Sequence, residues 1–447
     1  MSEIYESTFS FSLVKKYVHF TLRRFFSEFI VIGKENIPAD VPVIFAPNHN
    51  NALIDALAIH VAAPEDLPIV FLARADIFKN KTVAKFLRFC KMMPAFRMRD
   101  GIENLEKNND VFTKCVNVLQ HKKPLGIMPE GNQGEKRQIR PLLKGIFRIA
   151  FTAQENHGIN PYVKIIPVGI DYGDFTKSQK HIILSFGKPI EVSDYMTEFI
   201  ENPVKATNEI RNRLKNDLSN LTVNLATETY YDCYETATEV TNRTFQKKTK
   251  QTESTVSLFV AQQRIAERLI DIERNEPETI LLLDTMCKEY NTLLKKMNLK
   301  TPILENAPYK PLSLILEFCC LFITSILFIS GFILNFLPFF TPVFLRKYLF
   351  KTQYSGFFCS LHYGLGLITF PFFYVLQTIL FSTFTGLSWW LVFVFFMFQY
   401  FLGKFAISWN SRTKKFLAKL RCEKYLKSSL LNRTQELRFK IIQLVNS

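Results

Sequence analysis

The sequence predicts an α/β fold: a mostly parallel sheet flanked by helices, then an α-helical insert and a C-terminal helical membrane domain. Three observations predict it. Residues 31–190 alternate five short apolar runs with longer amphipathic stretches, the pattern of a layered α/β domain. Residues 200–305 turn polar, rich in Glu, Lys, Asn and Thr and nearly free of Gly and Pro. No Asp, Glu, Lys or Arg occurs in the 52 residues between Lys351 and Lys404, where one bilayer-crossing helix needs about 20 apolar residues.

The elements follow in order. Residues 1–30 form a first segment, and "FSLVKKYVHFTLRRFFSEFI" (11–30) reads as an amphipathic helix. Phe11, Val14, Val18, Leu22, Phe25 and Phe29 share one face, and Lys16, Arg23 and Arg24 lie elsewhere. Such a helix fits the surface of an anionic bilayer or an ordinary core-packed position. The uninterrupted apolar region of a signal peptide is missing. An α/β domain spans 31–198. Its strands are "PVIFAP" (42–47), "PIVFLA" (68–73), "PLGIMP" (124–129), "VKIIPVGI" (163–170) and "HIILSFG" (181–187), each apolar and bounded by turn-forming or polar residues. Helical stretches at 76–92, 103–121 and 141–157 separate them.

Residues 199–308 read as the insert: one long helix from about Val204 to Val240, then "VSLFVAQQRIAERLIDIER" and "PETILLLDTMCKEYNTLLKKMN", with an exposed basic loop at 243–254. The membrane domain spans 309–410. The 52-residue interval fits two spans, about 356–380 and 389–408, turning at "FTGLS". The 28 uncharged residues between Glu317 and Arg346 exceed one span and fall short of two. One full span there would put Arg346, Lys347 and Lys351 opposite Lys310 and the Arg412–Arg421 cluster. The positive-inside rule favours a re-entrant hairpin bending near "LNFLPFFTP" instead. Residues 411–447 then form a basic cytoplasmic tail, and the α/β domain of this integral membrane protein faces the cytoplasm.

Composition agrees with a membrane partner. Lys and Arg number 56 against 40 Asp and Glu, a net charge of +16 over 447 residues. That excess suits nucleic acid or an anionic membrane surface. Of the 44 Phe residues just over half fall in the C-terminal third, which favours a bilayer with anionic lipids over nucleic acid. The eight Cys residues include no C-x-x-C and no zinc spacing, so free thiols and no metal site are expected. His362, the only His in the uncharged intervals, has no carboxylate near it there. That argues against a proton-coupled transporter.

Chemistry gathers around "FAPNHNNALIDALAI" (45–59). A strand ends at Pro47, Asn50 or Asn51 can cap a helix, and "ALIDALAIHVA" continues it. His49 falls in the turn at the C-terminal edge of the sheet, where open α/β folds bind ligands, and Asp55 falls in the first helical turn. A His so placed can take a proton while a carboxylate fixes its ring. Five residues separate the two. On one continuous helix, offsets of five or six residues differ by about 140° or 240°, so the pair meets only if His49 precedes the helix. Downstream, "KMMPAFRMRDG" supplies Arg97 and Arg99, and "GIMPEGNQGEKRQIRPLLKGIFRIA" supplies Glu130, Gly131, Lys136, Arg137, Arg140 and Lys144. Guanidinium groups suit phosphate because they bond two oxygens at once. A glycine turn lets backbone N–H groups approach an anion.

In order, "NHNNALID", "PAFR", "MPEGNQG" and "IPVGI" resemble the four blocks of the glycerol-phosphate and lysophospholipid acyltransferase superfamily. Those blocks are Asn-His-x4-Asp, an apolar stretch ending in Arg, Phe-Pro-Glu-Gly-Thr-Arg, and a strand with Val-Pro-Val. The resemblance covers about residues 28–195. "VFLARADIFKN" and the third block look like a bacterial and fungal subgroup with a C-terminal membrane region, including fungal glycerol-3-phosphate acyltransferases. The resemblance implies direct acyl transfer without an acyl-enzyme. His49 would take the proton of a glycerol hydroxyl, Asp55 would hold the imidazole, and the oxygen would attack an acyl thioester. No cofactor is implied beyond the co-substrate, an acyl-CoA or acyl-carrier-protein thioester. Arg97 would bind the acceptor phosphate, and Glu130 and Gly131 would position the acceptor. Arg99 and Lys144 are added on charge and spacing. The acceptor implied is glycerol 3-phosphate, or alternatively lysophosphatidate. A non-catalytic lipid-binding protein on the same fold is the competing class. Two departures stand out: the first block has one residue too many, and Gln133 occupies the place of the family's third-block Arg, a contact that Lys136 or Arg137 could supply.

Overall fold

The structure, a computed structural model, describes residues 4–64, 67–96, 106–157, 162–248, 254–349 and 356–446. Two compact units emerge. Unit 1 comprises Met1–Asn224 with Thr352–Ser360, and unit 2 comprises Leu225–Lys351 with Leu361–Ser447.

Unit 1 is built on one sheet. Its strands are β1 (Phe29–Ile32), β2 (Val43–Pro47), β3 (Val70–Arg74), β4 (Met92–Ala95), β5 (Leu125–Gly126), β6 (Lys164–Tyr172), β7 (Ile182–Phe186) and β8 (Ile190–Glu191), in the order β1-β7-β6-β2-β5-β3-β4 with β8 beside β6. All pairings are parallel except β6 with β7 and β6 with β8. The mostly parallel sheet is therefore as read. β6 shows why: "KIIPVGIDY" is buried at every position after its first, as a strand covered on both faces must be.

The helices of unit 1 are α1 (Phe9–Phe25), α2 (Ala52–Ala62), α3 (Lys81–Phe89), α4 (Glu106–Gln120), α5 (Gly145–His157), α6 (Met196–Glu201) and α7 (Pro203–Asn220). Ile44, Ala46, Val70, Leu125 and Ile165 pack with Cys115, Phe147, Phe151 and Leu214 in one core, so α4, α5 and α7 cover one face. α2 carries His60 onto the Phe71 ring at 5.1 Å, on the other. Three strands lie outside the expected five: β1, β4 and β8, the last of only two residues and too short to show a pattern. "FIVI" merges with the amphipathic pattern before it, and "MMPA" lacks the β-branched residues that mark a strand.

α1 corrects the bilayer reading of its first-assigned face. Phe11 and Leu22 are buried, and Phe11 packs edge-on against Phe89 at 6.3 Å. That face is core. The outward face carries a second apolar stripe, Phe9, Leu13, Tyr17 and Phe20, all exposed, and the Arg24 guanidinium lies 3.6 Å above the Phe20 ring.

Unit 2 contains α8 (Tyr231–Lys248), α9 (Thr255–Asn275), α10 (Pro277–Met297), α11 (Thr301–Leu304), α12 (Pro311–Leu349), α13 (Gly356–Thr385), whose first five residues lie in unit 1, α14 (Trp389–Lys424) and α15 (Ser429–Asn446). The long helix read from Val204 to Val240 is two helices, α7 and α8. "TVNLATET" breaks it: its β-branched residues lose side-chain freedom in a helix, its Asn favours a turn, and Thr227 Oγ1 accepts the Tyr230 N–H at 3.1 Å. Residues 411–447 continue α14 and end in α15, whose Leu431, Leu437, Ile441 and Val445 are buried.

The re-entrant hairpin is also corrected: α12 is one helix of 39 residues with Pro338 and Pro342 inside it. Each proline lacks the N–H that would bond the carbonyl four residues earlier. Those carbonyls belong to Leu334 and Pro338, and α13 repairs both. Gln377 Nε2 donates to the Leu334 carbonyl at 2.9 Å and Thr369 Oγ1 to the Pro338 carbonyl at 3.2 Å. With its freed acceptors satisfied, the chain has no reason to turn back. α12, α13 and α14 are each long and apolar enough to cross a membrane.

Candidate active site

Three strand ends meet at the C-terminal edge of the sheet. β2 and β6 pair as far as Pro47 with Val168, and β5 ends at Gly126 beside Phe45. Just beyond β2, Asn48 extends the sheet with its side chain. Its Oδ1 accepts the Ile170 N–H at 2.7 Å and its Nδ2 donates to the Ile170 carbonyl at 3.0 Å. This clamp fixes where the next residue, His49, leaves the sheet.

His49 lies in the turn and Asp55 in the first turn of α2, as the spacing required. His49 Nδ1 donates to Asp55 Oδ2 at 2.8 Å. The Asp55 side chain is wholly buried and that of His49 is 15% exposed. Asp55 Oδ2 also accepts the N–H groups of Asn50 at 2.9 Å and Asn51 at 2.7 Å, and Oδ1 accepts the Tyr172 hydroxyl at 2.5 Å. Four donors thus hold one carboxylate. Burial, reinforced by Asp55, pushes the Tyr172 hydroxyl well above the usual tyrosine range, so it remains a donor. With Nδ1 engaged, His49 Nε2 is the nitrogen left to take a proton.

Glu130 braces this turn from the other side. Its Oε2 accepts the His49 backbone N–H at 3.3 Å, and its Oε1 accepts the Arg140 backbone N–H at 3.2 Å. The Arg140 guanidinium bonds Glu130 Oε2 and the Asn132 carbonyl, and reaches the His49 carbonyl at 3.1 Å. Burial raises the Glu130 pKa, and the Arg140 charge works against that rise. Gly131 follows at φ +71°, donating its N–H to the Met128 carbonyl at 3.0 Å. A Cβ there would meet only the exposed Leu143 side chain, so it is the backbone conformation that requires glycine. Its own N–H serves the turn and is not free for an anion.

The structure therefore brings together His49, Asp55, Glu130 and Gly131. Arg97 and Arg99 lie outside the described residues. Lys144 is exposed just before α5 and does not join the hydrogen-bonded set. Arg140, one of five cations in its block, takes the ion pair with Glu130; Arg137 instead donates to the Tyr172 carbonyl at 2.5 Å. Asn51 takes the N-cap position expected for it or for Asn50, whereas nothing in the sequence points to Tyr172 or Asn48. Their positions follow from strand register and turn geometry, which no local pattern announces.

Known proteins match this region. A family model described as "Acyltransferase" matches residues 28–171. Glycerol-3-phosphate O-acyltransferase 1 of Saccharomyces cerevisiae is 28% identical over 203 residues, 44% of this chain. The chain spans 25% of that relative's length. The 1-acyl-sn-glycerol-3-phosphate acyltransferase of Bacillus subtilis is 26% identical over 199 residues, 41% of this chain and 88% of the relative. Among solved structures, the 1-acyl-sn-glycerophosphate acyltransferase PlsC from Thermotoga maritima aligns at 20% identity over 46% of this chain and 79% of that one, with a TM-score of 0.34. The chain thus carries an acyltransferase-family domain over residues 28–171.

Proposed function

We propose that the protein is a membrane-bound O-acyltransferase that moves a fatty acyl group from a thioester to a hydroxyl of glycerol 3-phosphate. The observation that carries this reading is the His49–Asp55 pair: 2.8 Å apart, with a wholly buried carboxylate and a partly open imidazole. The acceptor hydroxyl gives its proton to His49 Nε2 as its oxygen attacks the thioester carbonyl. The tetrahedral intermediate collapses, the C–S bond breaks, and the departing sulfur takes the proton back from the imidazolium. Asp55 stabilises that imidazolium and holds the ring. Glu130 and Arg140 keep the His49 backbone in register. Arg97 is assigned to the acceptor phosphate by its place in the second block, and Arg99 is added on charge and spacing.

Glycerol 3-phosphate is favoured because the yeast relative is a glycerol-3-phosphate O-acyltransferase and because of the five-residue spacing. The Bacillus relative, matched over 88% of its length, supports lysophosphatidate as a second reading. The donor is an acyl thioester of coenzyme A or of a carrier protein. The apolar helices α12, α13 and α14 anchor the chain in a bilayer. The outward stripe of α1, with Lys16, Arg23 and Arg24 beside it, rests on an anionic lipid surface. Eight free cysteines fit a catalytic domain in the reducing cytoplasm.

The test uses membranes carrying the full chain. Labelled glycerol 3-phosphate or lysophosphatidate is supplied with acyl-CoA or acyl-carrier protein, and the lipid product is identified. Lysophosphatidate formed from glycerol 3-phosphate is the expected result, lost in His49→Ala. No transfer to either acceptor from either donor overturns the proposal.

A further inference from the structure

The site has a contributor from the far end of the sequence. Asn51 is the N-cap residue of α2, yet its side chain bonds none of the helix N–H groups. An uncapped, buried helix start needs other partners for those donors. Asp55 itself takes the Asn51 N–H. The Ile54 N–H goes to the hydroxyl of Ser360, at 3.2 Å and 306 residues away in sequence.

Ser360 ends the first turn of α13, and this turn, with Thr352–Ser360, belongs to unit 1. It is 2% exposed. While its Oγ accepts from Ile54, its proton goes to Asn51 Oδ1 at 2.7 Å, with the Asn51 carbonyl at 3.1 Å. One hydroxyl can accept and donate at once. Asn51 is fully buried, and its Nδ2 donates to the Phe175 carbonyl at 2.8 Å. Gly356 lies against the neighbouring residue, where a Cβ would fall 2.4 Å from the Asn50 carbonyl oxygen. So the first turn of α13 touches both asparagines between His49 and α2. The N–H groups of those same asparagines bond Asp55 Oδ2.

We propose that Ser360 is a positioning residue for the His49–Asp55 pair. Its hydroxyl caps α2 from another part of the chain and fixes the Asn50–Asn51 turn. The turn is one residue longer than the four-residue spacing of the family it resembles, and a longer turn has more freedom to lose. Ser360 and the close approach at Gly356 remove that freedom. This inference rests on the acyltransferase reading above.

The test uses the full chain in the same membranes, with the acceptor and donor that support turnover. Ser360→Ala is expected to lower kcat about tenfold, as small misplacements of reacting groups do, with KM for the acceptor changed less than about twofold. Ser360→Thr keeps the hydroxyl and recovers most of the loss. Gly356→Ala displaces Asn50 and also lowers kcat. If Ser360→Ala keeps wild-type kcat while His49→Ala is inactive, the positioning role is wrong and the acyltransferase reading stands. If Ser360→Ala and Ser360→Thr lose activity equally, packing rather than the hydroxyl matters, and the proposal is again overturned. Full activity in His49→Ala would overturn the underlying reading itself.

Discussion

Unit 1 and the apolar helices of unit 2 both bury polar side chains, to different ends. At the sheet edge, Asn50, Asn51 and Tyr172 converge on Asp55, and Asp55 leads to His49, which remains partly open. Among α12, α13 and α14, the partners are backbone carbonyls or one another. Gln377 and Thr369 meet the carbonyls that two prolines set free, and the Tyr374 hydroxyl donates to Asn335 Oδ1 at 2.6 Å. The difference teaches where chemistry lies. A buried polar network marks a site when it ends on a titratable group that substrate can reach; otherwise it mends the backbone.

The largest effect is expected at His49. His49→Ala is expected to lower kcat by about 10²–10⁴, the range for a positioned general base, with thermal stability in detergent unchanged. A large fall in melting temperature with intact specific activity would turn the first network into a structural one. Arg140→Met tests a residue that belongs to both descriptions. It leaves the Glu130 carboxylate, 2% exposed, without its cation, which costs on the order of 3 kcal/mol for a buried pair. Calorimetry in detergent should therefore show a clear loss of stability. Activity should fall as well, because Arg140 also holds the His49 carbonyl.

His60 shows that polar burial in unit 1 is not always catalytic. It packs between the Phe11 and Phe71 rings, and its Nδ1 is buried without a hydrogen bond among the described residues. Burial, reinforced by the Lys15 charge, lowers its pKa from 6.5 to about 3. The unfolded chain takes up a proton below about pH 6.5, and the folded chain only near 3. Stability from this residue is full above pH 6.5 and is lost as the pH falls toward 3, about 2 kcal/mol of it by pH 5. His60→Leu should lose less stability than wild type between pH 7.5 and 5, read as the difference between the two melting curves. Equal acid sensitivity in both proteins would count against a neutral, buried His60.

Tyr172→Phe removes one of four donors to Asp55. The smaller expectation is a fall in kcat of about fivefold, near the 1 kcal/mol of a typical hydrogen bond. An unchanged kcat would shorten the proposed catalytic network by one member. This residue also marks the limit of what the sequence shows. His49 and Asp55 are close in the chain, so a strand end and a helix start suffice to place them. Tyr172 reaches Asp55 only through the register of β6 on β2, and Ser360 only through the fold of a distant helix. Arg140 stands among Lys136, Arg137 and Lys144 with nothing local to single it out. The sheet was legible because its strands are apolar on both faces, and β1 and β4 were lost where that pattern weakens. In α12 segment length and charge placement favoured a bend, and the side chains that let the helix run on past its prolines lie in another helix.

Gln377 carries the smallest effect and the other half of the comparison. Gln377→Leu removes the donor to the Leu334 carbonyl and keeps similar bulk. Interhelical hydrogen bonds within membranes are worth about 0.6 kcal/mol on average and at most about 1.7. A shift of that size in detergent or bicelle unfolding is expected, with kcat unchanged. The Leu334 carbonyl, which Pro338 cannot serve, would then be unpaired in an apolar setting, so the loss should fall toward the upper end of that range. A double variant with Pro338→Ala restores a backbone N–H to Leu334 and should make the Gln377 substitution nearly neutral. If Gln377→Leu costs the same in the Pro338→Ala background as in the wild-type chain, the side chain does not repair the helix. The separation between networks that react and networks that mend would then fail at its simplest case.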